Sequence, residues 1–287
     1  MNHHLRALSL PGLTNLIRSI ARVGAWMVSG VLIAPTVQAQ VSLHSWPFEG
    51  GFNDVPAAGI GDVNGDGYDD IALGDPFNST AFFEAGAVHV RSGADGSLLY
   101  SVFGLAPDSK LGHSVSGCGD TDADGVPDFI AGAPMRSFPV TPQEPGGGVV
   151  FSGATGAVLH AITGDPDDGL GISVGGAGDV DCDGFDDFLL GSPAWQVPLA
   201  SATGLVKLYS GATGGLLFAE MGPHGGSWFG RAVGTLGDVD GDGCDDYFVS
   251  GEDFSPQGAF GDDEGFVRIR SFPNGVIGEV IGGFEDH

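Results

Sequence analysis

Basic residues are scarce in this chain. Ten Lys+Arg stand against 37 Asp+Glu among 287 residues, a formal net charge of −27. That balance repels nucleic acid and anionic lipid, and it invites divalent cations instead. Sustained helical periodicity is missing as well: beyond the first forty residues no stretch keeps apolar side chains on one helical face. The 52 glycines, set among abundant Val, Leu and Phe, suit short strands joined by tight turns. Cysteine is sparse and odd in number, at Cys118, Cys182 and Cys244. Three thiols exclude a complete disulfide framework but leave room for one bridge. They fall at different places in the repeat described below, so they are not equivalent ligands, and they read as small buried or loop residues. Aromatic and aliphatic residues recur throughout, which argues against disorder.

Long apolar runs are limited to one. "VGAWMVSGVLIA", Val23 to Ala34, follows Arg6, Arg18 and Arg22. At about 12 residues it falls short of the roughly 20 that span a bilayer. The small residues of "VQA" then precede a cut after Ala39. The pattern predicts a cleavable signal peptide over 1–39, in preference to an uncleaved anchor. Its removal takes away three arginines and no acid, leaving 37 acids against 7 basic residues, or −30. The expectation is an exported chain (secreted, periplasmic or at the cell surface) with no transmembrane segment in its mature part.

What the sequence has in quantity is an acidic loop, written four times: "GDVNGDGYDD", "GDTDADGVPD", "GDVDCDGFDD" and "GDVDGDGCDD". Their first aspartates, Asp62, Asp120, Asp179 and Asp238, are spaced by 58, 59 and 59 residues. Such a period signals a repeat architecture. Other features keep step. Each loop leads into a short apolar run ("DDIALGDP", "PDFIAGAP", "DDFLLGSP", "DDYFVSGE") and later a glycine-opened alternating run ("GAVHVRSG", "GGVVFSG", "GLVKLYSG", "GFVRIRSF"). A tight turn and a further strand complete the unit. About four strands per unit, punctuated every 8–12 residues, predict an all-β fold. One four-stranded sheet cannot bury both faces alone, so neighbouring units must stack. Residues 40–287 are therefore expected to form a β-propeller-type array of four-stranded antiparallel blades, since a flat sandwich needs no such period.

Numbered from the first aspartate, each loop offers side-chain oxygens at positions 1, 3, 5 and 9. These are Asp62, Asn64, Asp66 and Asp70, then Asp120, Asp122, Asp124 and Asp128. The third and fourth loops supply Asp179, Asp181, Asp183 and Asp187, and Asp238, Asp240, Asp242 and Asp246. Position 6 is glycine (Gly67, Gly125, Gly184, Gly243), fit for a sharp bend. Position 7 offers a backbone carbonyl from Tyr68, Val126, Phe185 or Cys244. An all-oxygen set of this size fits Ca²⁺, up to four ions in all, whereas Zn²⁺ prefers Cys and His. Without a cation, each carboxylate pair a few ångströms apart costs on the order of 1 kcal/mol or more. Plain turn formation explains Asp-Gly but not acids at 1, 3, 5 and 9. An EF-hand needs a bidentate Glu at position 12, where this chain has Leu73, Ala131, Leu190 or Val249. Asn64 leaves the first loop one carboxylate short and is expected to weaken it slightly. Asp245, at position 8, falls outside the expected shell.

The acidic loop inside a β-blade resembles the FG-GAP repeat of integrin α-subunit propellers and their bacterial secreted relatives. "LGHSV" at Leu111, "LGISV" at Leu170 and "FGRAV" at Phe229 match the FG element, and "GAP" at Gly132 is intact, with "GDP" at Gly74 and "GSP" at Gly191. The likeness runs over roughly residues 53–287. The first unit departs with "NDVPA" and the fourth with "SGE". The resemblance implies structural calcium loops on one face of a propeller, with ligands meeting other loops. It also implies more blades than four, commonly seven. A closed four-membered ring, an open array completed by self-association, and a truncated propeller all remain open at this level. "VSLHSW", Val41 to Trp46, aligns with the fourth strand of a unit.

The function these features lead to is a calcium-stabilised adhesion or protein-interaction scaffold, with an extracellular protein or glycan as partner. Loops Phe77–Gly86, Met135–Gly147 and Ala194–Gly204 occupy equivalent places and differ in sequence, as a recognition surface would. The rivals are a calcium-assisted extracellular hydrolase and a purely structural surface or matrix component. The histidines His44, His89, His113, His160, His224 and His287 fall at scattered repeat positions, with no nucleophile elbow or zinc motif. No catalytic residue is therefore assigned.

Overall fold

A computed structural model describes residues 55–134, 145–165, 168–193, 203–223, 225–253 and 264–282. The expected signal peptide, the Val41–Trp46 segment, His44, His224 and His287 lie outside these residues, as do most of the second and third variable loops. The described residues contain sixteen strands and no helix, hence no helix long and apolar enough to cross a membrane.

The strands form four antiparallel sheets of four, one per sequence repeat. Unit 1 is β1 (Ala57–Gly61), β2 (Asp70–Asp75), β3 (Ala87–Arg91) and β4 (Leu98–Phe103). Unit 2 is β5 (Ser114–Gly119), β6 (Asp128–Ala133), β7 (Gly147–Phe151) and β8 (Val158–Thr163). Unit 3 is β9 (Ser173–Gly178), β10 (Asp187–Ser192), β11 (Leu205–Tyr209) and β12 (Leu216–Met221). Unit 4 is β13 (Val233–Gly237), β14 (Asp246–Asp253), β15 (Glu264–Ser271) and β16 (Gly275–Gly282). Each sheet is a simple meander in chain order, so every neighbour in space is a neighbour in sequence. The acidic loop always joins the first strand to the second.

Side-chain alternation explains how the sheets stack. In β6, Phe129 and Ala131 turn toward unit 1 while Ile130 turns toward unit 3. The same split gives three cores, one per junction. Ile60, Val88 and Val90 meet Leu111, Phe129 and Phe151 between units 1 and 2. Ile130 and Val150 meet Leu170, Phe188 and Leu190 between units 2 and 3. Leu189, Val206 and Leu208 meet Phe229, Tyr247 and Phe266 between units 3 and 4. Strand β10 is therefore buried at every position, with Phe188, Leu189 and Leu190 apolar in succession, while the outer-edge strand β12 has no fully buried residue.

The FG and GAP glycines meet at these junctions. Gly112, Gly171 and Gly230 have φ of 86, 92 and 90°, which other residues adopt only with strain. Each donates its N–H to its own unit's second strand, at Gly132, Gly191 and Ser250 (3.0, 3.2 and 2.9 Å). Its own carbonyl presses on the GAP glycine of the unit before: a Cβ on Gly74, Gly132 or Gly191 would overlap the oxygen of Gly112, Gly171 or Gly230. The two motifs are the halves of one inter-unit contact. First strands pack side by side from β1 through β5 and β9 to β13, and among the described residues β13 makes no such contact with β1. Among those residues the four units form an open row, not a closed four-membered ring.

Candidate metal centres

Each acidic loop is first folded by its own backbone. The position 1 carboxylate accepts the position 6 N–H: Asp62 from Gly67 at 2.7 Å, Asp120 from Gly125 at 2.9 Å, Asp179 from Gly184 at 2.9 Å and Asp238 from Gly243 at 3.1 Å. Position 3 accepts from position 5, and position 5 from position 7, in all four loops. The position 6 glycines have φ between 88 and 100°, the bend their identity predicts. Position 4 is left-handed too. Gly65 and Gly241 accept this freely, whereas Ala123 and Cys182 hold φ of 56 and 59° against steric cost.

This folding brings positions 1, 3 and 9 together. In each of three groups, Asp120–Asp122–Asp128, Asp179–Asp181–Asp187 and Asp238–Asp240–Asp246, one oxygen from every residue lies within 4.8 Å of the others. Asn64 holds the corresponding position of the first loop, with its amide donating to Asp66 at 3.0 Å. Position 5 lies outside the three groups. Asp66 Oδ2 instead faces the Ser92 hydroxyl at 3.4 Å, and Asp242 Oδ2 accepts from Asn274 at 3.0 Å. Of the position 7 residues, Tyr68 is exposed, Val126 packs on the first core, Phe185 is half-buried and Cys244 is disulfide-bonded.

Position 9 is the anchor. Asp70, Asp128, Asp187 and Asp246 are fully buried. One oxygen of each accepts the position 2 N–H, from Val63, Thr121, Val180 or Val239. The other accepts the glycine N–H of the Ser-Gly turn after the third strand: Gly93, Gly153 or Gly211 at 2.8–2.9 Å. In unit 4 Phe272 stands where that glycine would be, and Asp246 Oδ1 is buried with no hydrogen-bond partner. A buried carboxylate oxygen without a donor is costly unless a cation takes its lone pair. Burial pushes the Asp187 carboxyl up to about 7 and raises Asp128. Burial, then the neighbouring Asp183 charge, raises Asp181. The half-buried Asp62 is lowered, chiefly by the Gly67 N–H. Crowded acids whose ionised forms are disfavoured are the donor set a hard cation relieves. These clusters can hold a divalent metal ion.

Two functional contacts escaped sequence reasoning. Position 8 clasps the preceding loop. Asp186 accepts the Asp120 N–H at 2.7 Å and returns its own N–H to the Asp120 carbonyl at 3.3 Å; Asp245 does the same with Asp179 at 3.2 and 3.0 Å. In unit 2 the place is taken by Pro127, packed on Gly61. Asp245 lies outside the acidic group of its own loop and grips the preceding one instead. The second contact is a disulfide, Cys182–Cys244, which joins position 4 of the third loop to position 7 of the fourth. Cys118 is buried and free, its thiol pushed well above its usual range by burial. The "SG" after each third strand was the available signal for the position 9 anchor. The position 8 clasp left no signal beyond the recurrence of an acid.

The described histidines are spread out. His89 Nδ1 pairs with the Ser101 hydroxyl at 2.8 Å on unit 1, and His160 Nε2 reaches the Gly211 carbonyl at 2.5 Å across the junction of units 2 and 3.

Comparison with known proteins places these features. The FG-GAP repeat family matches residues 55–90. Integrin alpha-5 of Xenopus laevis is 30% identical over 223 residues, 72% of this chain and 20% of the relative. Integrin alpha-V of Gallus gallus is 27% identical over 235 residues, 75% of this chain and 20% of the relative. The chain thus spans about a fifth of the length of these curated relatives. Among solved structures, the rhamnogalacturonan lyase YesW aligns with a TM-score of 0.44 and 18% identity, covering 68% of this chain and 40% of its own. Four acidic-loop units, the glycine seams between them and the integrin alpha relatives together make the chain an FG-GAP, integrin alpha-like repeat protein.

Proposed function

We propose that this chain is an exported, calcium-stabilised scaffold for adhesion or protein interaction, with residues 1–39 as its signal peptide and 40–287 as the FG-GAP array. The observation that carries the reading is the repeated convergence of positions 1, 3 and 9 on buried, hydrogen-bonded anchors. Oxygen-only donors of this kind suit Ca²⁺ over Zn²⁺. Bound calcium would offset part of each loop's negative charge and stiffen the hairpin between first and second strands. The position 8 clasps and the disulfide would spread that stiffness from loop to loop.

Recognition falls to the loops on the rigid frame. The one variable loop within the described residues, 77–86, presents Phe82 and Phe83 at 50 and 66% exposure. Its base is pinned by the Glu84–Lys110 ion pair and by the Gly86 N–H on the Asn78 carbonyl at 3.0 Å. Two exposed aromatic rings on a fixed base are typical anchors for a protein or glycan partner.

Titration calorimetry with Ca²⁺, with melting curves in calcium and in chelator, tests the metal. Binding at more than one loop and a higher melting temperature in calcium are expected, with Asn64→Asp strengthening the first loop. No calcium binding and identical melting in chelator would remove the reading. Partner capture that Phe82→Ala and Phe83→Ala abolish tests the recognition loop.

A further inference from the structure

We infer that the outward face of unit 4 docks, head to tail, on the open face of unit 1 in a second copy of this chain. The three internal junctions define what each face is built to meet. On the first strand, Ile60, Cys118 and Ala177 are buried by the following unit; their counterpart in unit 4, Leu236, is 44% exposed. At loop position 2, Val63, Thr121 and Val180 are buried, whereas Val239 is 54% exposed. On the third strand Val206 is buried by unit 4, and its counterpart Val267 is 36% exposed beside Val280 at 61%. Unit 4 therefore carries the apolar pattern of a junction with nothing among the described residues covering it. Four such side chains in one patch mark an interaction surface.

Unit 1 carries the complementary half. Phe129 and Ala131, Phe188 and Leu190, and Tyr247 and Val249 are buried against the unit before them. Their counterparts Ile71 and Leu73 are only half-buried. Asp69 is exposed at position 8, where Asp186 and Asp245 each grip the first N–H of the preceding loop. The matching donor on unit 4 is the N–H of Asp238.

The glycine seam selects the occupant. Gly74, Gly132 and Gly191 have no Cβ because the next unit's FG glycine carbonyl lies there. Unit 4 has Ser250 at that place, so a further FG-bearing repeat would clash with its Cβ. Unit 1 has Asn53-Asp54 where the other units carry their FG element. In sequence, unit 4 and unit 1 thus depart from the two halves of one motif pair, and the two departures match. Such a contact uses two different patches, so it either closes into a ring or continues as an open assembly.

Sedimentation velocity of the full chain in calcium, up to on the order of 100 µM, is the test. The expected result is concentration-dependent association to at least twice the monomer mass. Val280→Asp, at an exposed site, and Leu73→Glu should each abolish it. Asp69→Ala, also exposed, should weaken it and guards against misfolding of the Leu73 variant. An equimolar mixture of Val280→Asp and Leu73→Glu should form a heterodimer, because one intact face of each kind remains. A parent chain that stays monomeric overturns the inference and leaves the face to a different protein. Association that Leu73→Glu and Asp69→Ala leave unchanged overturns it in favour of unit 4 against unit 4.

Discussion

Removing the Cys182–Cys244 bridge by the double change Cys182→Ser, Cys244→Ser should lower stability by about 4 kcal/mol. The two residues are 62 apart in sequence, and cross-linking a loop of that length removes roughly this much conformational freedom, as free energy, from the unfolded chain. The native state should lose little, because Asp245 still clasps Asp179 beside the bridge and the core between units 3 and 4 is untouched. Urea unfolding followed by circular dichroism in calcium measures the change as a lower midpoint. The slope should steepen slightly, since an unfolded chain without the cross-link exposes more surface. Calorimetry adds a local readout: calcium affinity should fall at the third and fourth loops and hold at the first two. Thiol titration of the native parent should find Cys118 inaccessible until unfolding. Three free thiols in the unfolded, unreduced parent, or a double variant with an unchanged midpoint, would refute the reasoning.

Three further outcomes are expected. Asp187→Ala leaves the buried N–H groups of Val180 and Gly211 without acceptors; at about 1–3 kcal/mol per orphaned donor, urea unfolding should show a loss of about 3 kcal/mol, and a loss below about 1 would deny the anchor role. Gly132→Ala drives a methyl group into the Gly171 carbonyl of the next unit and should cost about 2 kcal/mol or more, read as a lower melting temperature. Burial pushes the hydroxyls of Tyr100, Tyr209 and Tyr247 up to about 12 from the ordinary 10.0, so the folded state holds their protons more tightly than the unfolded state does. The stability they contribute is whole below pH 10 and is lost as pH rises toward 12. Ultraviolet titration should place their ionisation in that window together with unfolding, Tyr100 giving up its 2.6 Å bond to the Gly153 carbonyl of unit 2.

The sequence by itself determined the period, the strands and the acidic loops. Those features are local: the converging acidic positions 1, 3 and 9 lie within nine residues, and glycine at position 6 forces the bend wherever the loop occurs. Short apolar runs placed the second strands and alternating runs the third, whereas the burial of β10 on both faces came from the stacking. The FG and GAP glycines were legible as motifs, but their reason was not, since each is explained by a carbonyl on the adjacent unit. Tertiary structure alone decided the contacts that run one unit along. Asp186 finds Asp120 and Asp245 finds Asp179, each across 66 residues, and Cys182 finds Cys244 across 62. Such pairings depend on how one sheet settles on the next, which no local pattern encodes. The same stacking makes Ala177 a core residue and Leu236 a surface one at the same position of the repeat. What separates them is whether a further unit lies against the sheet.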